Sequence, residues 1–182
     1  MSLFKTQAII LNQKKINQKD FIYTIFTKDY WKILVNKKLS SKEKVLDIWY
    51  IINCEIQTNE KNDIHKIRNI KIKYEFLNQK RSFSEINLYL EILSYTLKNI
   101  AIWIVFYEIF DIIEYINKTE KIDETKLILA KLKIKNILWE LDIKNKDTTI
   151  NKVLKFINKN NIKTIFKLTW IDENIKIGLK KI

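Results

Sequence analysis

Residues 5–33 read KTQAIILNQKKINQKDFIYTIFTKDYWKI, and this stretch decides the fold of the first half of the chain. Its β-branched and aromatic residues fall into short runs, Thr6–Leu11, Phe21–Thr27 and Lys32–Asn36, separated by polar, lysine-rich segments, which is the pattern of strands. Two further runs, Leu46–Glu55 and Ile64–Lys73, extend it. In the last, Ile64, Ile67, Ile70 and Ile72 are interleaved with basic residues, so one wall of that strand faces water. Five strands within about 75 residues suit a small closed barrel, and an OB-like barrel is the natural expectation, although an SH3-like barrel would look much the same.

After Lys80 the spacing turns helical. Ser84 is placed to cap a helix carrying Ile86, Leu88, Leu90, Leu93 and Leu97, and a second apolar stretch runs from Ile100 to Ile116 with Glu108, Asp111 and Glu114 on its polar side. Asp123 caps a third helix through Leu138. A fourth, Asp147–Ile157, sets Ile150, Val153, Leu154 and Ile157 at i, i+3, i+4 and i+7. Short helices near Lys163–Leu168 and Asp172–Lys181 close the chain. The expected class is α+β: a five-stranded OB-like barrel over residues 1–80, then an α-helical domain over 81–182.

The 182 residues carry 47% apolar side chains, enough for a real core. The longest apolar run, Ile100–Phe110, is broken by Glu108 and falls short of the roughly 20 residues of a membrane span. With no signal-peptide cleavage pattern at the start, the chain is expected to be cytoplasmic and to have no membrane partner. A single cysteine, Cys54, and a single histidine, His65, exclude an intramolecular disulfide and a Cys/His zinc site, so no cofactor is expected. Cys54 lies in an apolar run and reads as core; His65 lies among charges and reads as solvated. Gly-rich phosphate loop, HExxH motif and nucleophile elbow are all missing, and the acid pairs Asp123–Glu124 and Asp172–Glu173 fall at helix starts, where carboxylates favour the dipole. The chain does not read as an enzyme.

A net charge of +13 draws polyanions. Thirty-two of the 34 basic residues are lysine, as an AT-rich coding sequence also produces, so distribution matters more than the total. Residues 1–82 hold 17 basic and 8 acidic side chains and residues 83–182 hold 17 and 13, so the excess sits on the barrel half.

The order Thr6, Ala8, Ile9, Ile10, Leu11, then Asp20, Ile22, Thr24, Phe26, Thr27, then Tyr30 and Lys32 resembles the opening of the RecO family of recombination mediators. INLYLEILSYTL, residues 86–97, is similar to the first helix after the barrel in that family. The likeness is specific over residues 5–38 and architectural beyond about residue 97. It implies a DNA-repair protein that binds and anneals single-stranded DNA, also binds double-stranded DNA, contacts single-stranded-DNA-binding protein, and works with RecR to load RecA, in the bacterial cytoplasm at the nucleoid. The family's four-cysteine zinc insertion is missing, so this would be a shortened, zinc-free form.

Trp31 stands where the family has the glycine of Tyr-Gly-Lys. A tight turn there favours positive φ, which glycine adopts freely. One glycine and no proline in 182 residues, beside five tryptophans, is far from ordinary usage. Some tryptophans are therefore expected to be glycines encoded by UGA under a reassigned code, Trp31 and Trp139 first among them, Trp139 because it sits near a helix end. The other reading is that Trp31 is an authentic substitution.

OB-folds bind strands across strands 2 and 3, between the loops joining strands 1–2 and 4–5. Here that selects Lys14, Lys15 and Lys19 in the first loop, residues 58–63 in the other, and Lys32, Lys37, Lys38, Lys42 and Lys44 along strand 3 and beyond. Lys66, Arg68, Lys71 and Lys73 form a second strip. Tyr23 and Tyr30 are the aromatics suited to stacking on bases. The rival readings are a non-catalytic adaptor whose helical half binds proteins, and an RNA-binding OB-fold protein.

Overall fold

The computed structural model of the chain describes residues 2–40, 43–59, 62–76, 80–101, 104–142 and 147–182. Five strands form the first half: β1 (Leu3–Lys15), β2 (Asp20–Thr27), β3 (Lys32–Lys38), β4 (Ile51–Gln57) and β5 (Ile64–Tyr74). Helices follow: α1 (Phe83–Asn99), α2 (Tyr107–Lys118), α3 (Glu124–Ile137), α4 (Thr148–Lys159), α5 (Ile162–Ile165) and α6 (Glu173–Lys180). The class is α+β. The long β1 pairs antiparallel with both β2 and β4, and β3 pairs parallel with β5, so the sheet closes in the order β1-β2-β3-β5-β4.

Alternation sorts the strand residues between two cores. Ala8, Ile10, Tyr23, Ile25, Val35, Ile52 and Ile56 fill the inside of the sheet. Their neighbours Ile9, Phe26 and Ile51 point outward and join the helical core with Phe76, Phe110 and Ile113. Phe26 meets the Phe110 ring at 5.9 Å between centroids. Each such side chain, fully removed from water, contributes about 1.5–3 kcal/mol, so the outward face at this end of β1, β2 and β4 is committed to the helices. The opposite end of β2 and β3 is left free.

Three expectations are corrected. Leu46–Glu55 is not one strand: a turn closed by the Tyr50 N–H on the Asp47 carbonyl, 3.3 Å, separates Leu46 from β4. The first helix is capped by Ser82, not Ser84. Glu85 stands three residues after Ser82, and the two satisfy each other's backbone N–H groups in a capping box. In the apolar stretch from Ile100, α2 starts at Tyr107, and the described residues 100, 101 and 104–106 before it are not helical. Asp123 caps its helix as expected, and Asp147 and Asp172, where the next two predicted helices began, are also caps, each side chain accepting from a backbone N–H of the first turn. In β5 the three-residue step from Ile67 to Ile70 marks a bulge, with Asn69 at φ 51° and its amide donating to Glu55 at 2.6 Å. Among the described residues no helix is long and apolar enough to cross a membrane.

Candidate nucleic-acid interface

The free outward face of β2, β3 and β5 is read from the strand registers. Lys14 lies opposite Ile22, Ile22 opposite Asn36, and Asn36 level with Lys66, so the four form one row across four strands. Asn12, Thr24, Leu34 and Ile64 form the next. The first row has a lysine at each end with Ile22 and Asn36 between them, and the second sets Leu34 and Ile64 beside Asn12 and Thr24.

Two loops bracket this face, each held by short polar side chains. In the β1–β2 turn the Asn17 carbonyl accepts from the N–H groups of Lys19 and Asp20 at 3.0 and 2.9 Å, and its amide donates to the Asp20 carboxylate at 2.6 Å. The Leu39 N–H donates to the Lys19 carbonyl at 2.8 Å and ties the turn to the end of β3. In the β4–β5 connection the Asn59 N–H donates to His65 Nδ1 at 3.2 Å, and the Ile64 N–H to the Asn62 side chain at 3.2 Å. Asparagine supplies these local bonds because its amide mimics a backbone turn.

Between the loops lies a cleft of about 340 Å³, with Ile16, Ile22 and Ile64 for apolar surface and Asn36, Asn62 and Lys66 for polar contacts. Beside it a slot of about 240 Å³ is bounded by Thr24, Leu34, Trp31 and His65. Lys14, Lys15, Lys19, Lys38 and Lys66 are all exposed around this face. Ammonium groups set around an apolar and amide floor can hold phosphates while bases lie on the floor. No protein-family model matches the chain, and no curated protein matches its sequence. The chemistry of this face therefore has to be read from its own residues.

Several predicted site residues lie elsewhere. Tyr23 is fully buried in the barrel, stacked on Phe21 at 6.0 Å, and its hydroxyl accepts from the Leu46 N–H at 3.4 Å. Burial pushes its phenol up, and it cannot stack on a base. Tyr30 is half-buried in the β2–β3 turn, at the far end of β2 from the β1–β2 turn, where it packs on Phe4 at 4.0 Å. The Lys32 ammonium donates to the Leu97 carbonyl at 2.7 Å, and burial lowers its pKa. It fastens β3 to α1, and although half-buried on the wall of the 240 Å³ slot its ammonium is already engaged. Lys37 is held by Glu43 at 2.6 Å; that hydrogen bond and a second from the Ser40 N–H draw the Glu43 carboxyl down to about 2. Arg68 lies opposite Glu55 in the β4–β5 ladder, off the Lys14 row. Lys44 is exposed in the β3–β4 connection, and Lys42 lies outside the described residues.

Cys54 is buried, as its apolar surroundings suggested, and burial pushes its thiol up to about 12. His65 corrects its reading: it is half-buried and holds a loop. The sequence reading missed Ile16, Asn36 and Asn62. Asn36 was within reach, since the alternation of β3 puts it on the same side as Leu34, whereas Ile16 and Asn62 depend on how two loops meet across the sheet.

A cleft of about 990 Å³ lies on the β1–β4–β5 side. Its Lys5 is answered by Glu55 at 3.6 Å and its Lys28 by Asp111 at 3.2 Å, and Asp29 shares the lining with Lys71, so most of its positive charge is offset.

Proposed function

We propose that this protein binds single-stranded DNA across the outward face of β2, β3 and β5, as a non-catalytic recombination mediator of the RecO type. The observation that carries the reading is the row Lys14, Ile22, Asn36, Lys66 between two pinned loops, with Lys15, Lys19 and Lys38 around it. The closed strand order with β3 parallel to β5 supports an OB-like barrel, whose binding surface is this same face. Lysine point charges and an apolar floor give binding with little sequence preference and strong salt dependence. The resemblance over residues 5–38 extends the reading to annealing of complementary strands and to RecR, single-stranded-DNA-binding protein and RecA as partners at the nucleoid.

The test is binding of a fluorescent single-stranded oligonucleotide over a salt series. Four or five phosphate contacts give a log–log slope of about −3. Changing Lys14, Lys15 and Lys38 to Glu is expected to abolish most of that slope. Changing Lys152, Lys155 and Lys159 on α4 to Glu alters net charge equally and should leave most of the affinity. Equal loss in both variants would mean that net charge alone binds DNA, and the face would lose its role. An RNA oligonucleotide bound more tightly than DNA would favour the RNA-binding alternative.

The adaptor reading has one observation of its own. Leu88, Ile128, Leu132 and Leu179 line a groove of about 320 Å³ among α1, α3 and α6.

A further inference from the structure

Among the described residues, two tryptophans occupy glycine backbone. Trp49 has φ 90° and Trp139 has φ 61°. In this left-handed region an L-residue's Cβ crowds the following carbonyl oxygen; glycine visits it freely, asparagine with some cost, and a bulky side chain rarely. The one glycine of the chain is not used there. Gly178 lies within α6, where a Cβ would come within 2.4 Å of Ile150 Cδ1.

Hydrogen bonds fix both conformations. Trp49 is the third residue of the turn Asp47–Tyr50, closed by the Tyr50 N–H on the Asp47 carbonyl at 3.3 Å. Positive φ at that position is the mark of a type II turn, which requires glycine or asparagine there. The turn is bolted to β1 on both sides: the Trp49 N–H donates to the Ile10 carbonyl at 3.1 Å, and the Ile10 N–H to the Tyr50 carbonyl at 3.0 Å. Trp139 follows the C-cap of α3. Its N–H donates to the Asn136 carbonyl at 3.1 Å and the Glu140 N–H to the Lys135 carbonyl at 2.9 Å. That bond pair is the Schellman motif, and its left-handed residue is usually glycine. At 96% exposure the Trp139 indole has almost no packing to offset the strain.

The geometry points to glycine, not tryptophan, as the residue that the organism places at positions 49 and 139. The codon UGA, one base from the tryptophan codon UGG and one from the glycine codon GGA, gives this result when a glycine tRNA reads it. Among the described residues the backbone makes the assignment at these two positions; Trp31 and Trp170 are outside the left-handed region, which corrects the expectation for Trp31, and Trp103 lies outside the described residues. The consequence for function is a subtraction. An exposed indole at 139 would otherwise be read as a docking or base-stacking side chain, and glycine leaves a helix stop with no ligand role. None of this depends on the nucleic-acid reading.

Tandem mass spectrometry of the protein from its native source decides the matter, because tryptic peptides 45–61 and 136–144 each hold one of the two residues. Glycine in both is the expected result, and tryptophan in either overturns the assignment there. A second measurement separates backbone from side chain. With alanine and glycine placed in turn at 49 and at 139 of the recombinant protein, glycine should melt about 2–8 °C above alanine at each position. In ordinary helical or extended backbone alanine would match or exceed glycine, and that result would overturn the proposal.

Discussion

The Lys73 ammonium meets the Glu114 carboxylate at 2.9 Å, joining the last strand of the barrel to α2. Glu114 is buried, and Lys118 and Lys28 also approach it, at 3.2 and 3.8 Å. One carboxylate thus holds three lysines drawn from two helix and strand neighbours and a turn. Burial alone would raise the Glu114 carboxyl, but the hydrogen bonds and charges of Lys73 and Lys118 outweigh it and hold the group below the usual carboxylate range. Glu114→Gln should cost about 1–3 kcal/mol at pH 7, less than a fully buried pair because the lysines keep some water. A carboxyl depressed by folding stabilises above its unfolded pKa of about 4.3 and loses that contribution as pH falls through the lower folded value. Urea unfolding at pH 7 and at a pH below the folded value should therefore show a gap between wild type and variant that closes in acid. A gap unchanged by pH would deny the ion pair its role.

Tyr23 illustrates how a core residue can look like a ligand contact. Tyr23→Phe removes one hydrogen bond, to the Leu46 N–H at 3.4 Å, and should cost about 0.5–1.5 kcal/mol. Oligonucleotide affinity should not change. Loss of affinity with unchanged stability would restore Tyr23 to the interface.

Ser82 and Ser84 are two residues apart, and only one is the cap. Ser82→Ala opens the capping box with Glu85 and should cost about 1 kcal/mol, whereas Ser84→Ala at an exposed helical position should be close to neutral. Thermal unfolding of the two variants distinguishes them, and equal shifts would mean that the box contributes nothing.

The same pair explains what was legible in the sequence. Runs of β-branched and aromatic residues located four of the five strands and the second half of β4, with the order of the residues over 5–38 arbitrating where Ile-rich periodicity alone could not, and the helices after Asp123, Asp147 and Asp172 were legible from their apolar spacing. Signals that two residues share were harder to see: Ser82 is recognisable only with Glu85 three positions on. The turn at Asp47–Tyr50 was hidden because tryptophan occupies the position where a glycine would have announced it. At the candidate site the exposed lysines of the β1–β2 turn could be listed from charge alone. Lys32 and Lys37 could not be set apart from them, since their partners, Leu97 and Glu43, are supplied by α1 and by the β3–β4 connection.

Lys66 and Arg68 are two positions apart on β5, and the registers give them opposite expectations. Lys66 is level with Asn36 and completes the row that starts at Lys14, while Arg68 faces Glu55. Glu55 also receives the Asn69 amide at 2.6 Å and Lys5 at 3.6 Å. Lys66→Gln should weaken single-stranded oligonucleotide binding several-fold and reduce the salt slope by about 0.7, the share of one phosphate on a single strand. Arg68→Gln should leave slope and affinity nearly unchanged and lower stability by no more than about 1 kcal/mol, the worth of an exposed cross-strand charge pair. Both cations are exposed on β5, so the comparison holds fold, strand and charge change constant and varies whether the cation lost is level with Asn36 of β3 or lies further along, opposite Glu55. If Arg68 rather than Lys66 carried the slope, the nucleic acid would run along the β4–β5 side, over the large cleft, and the β2–β3–β5 face would be solvated surface.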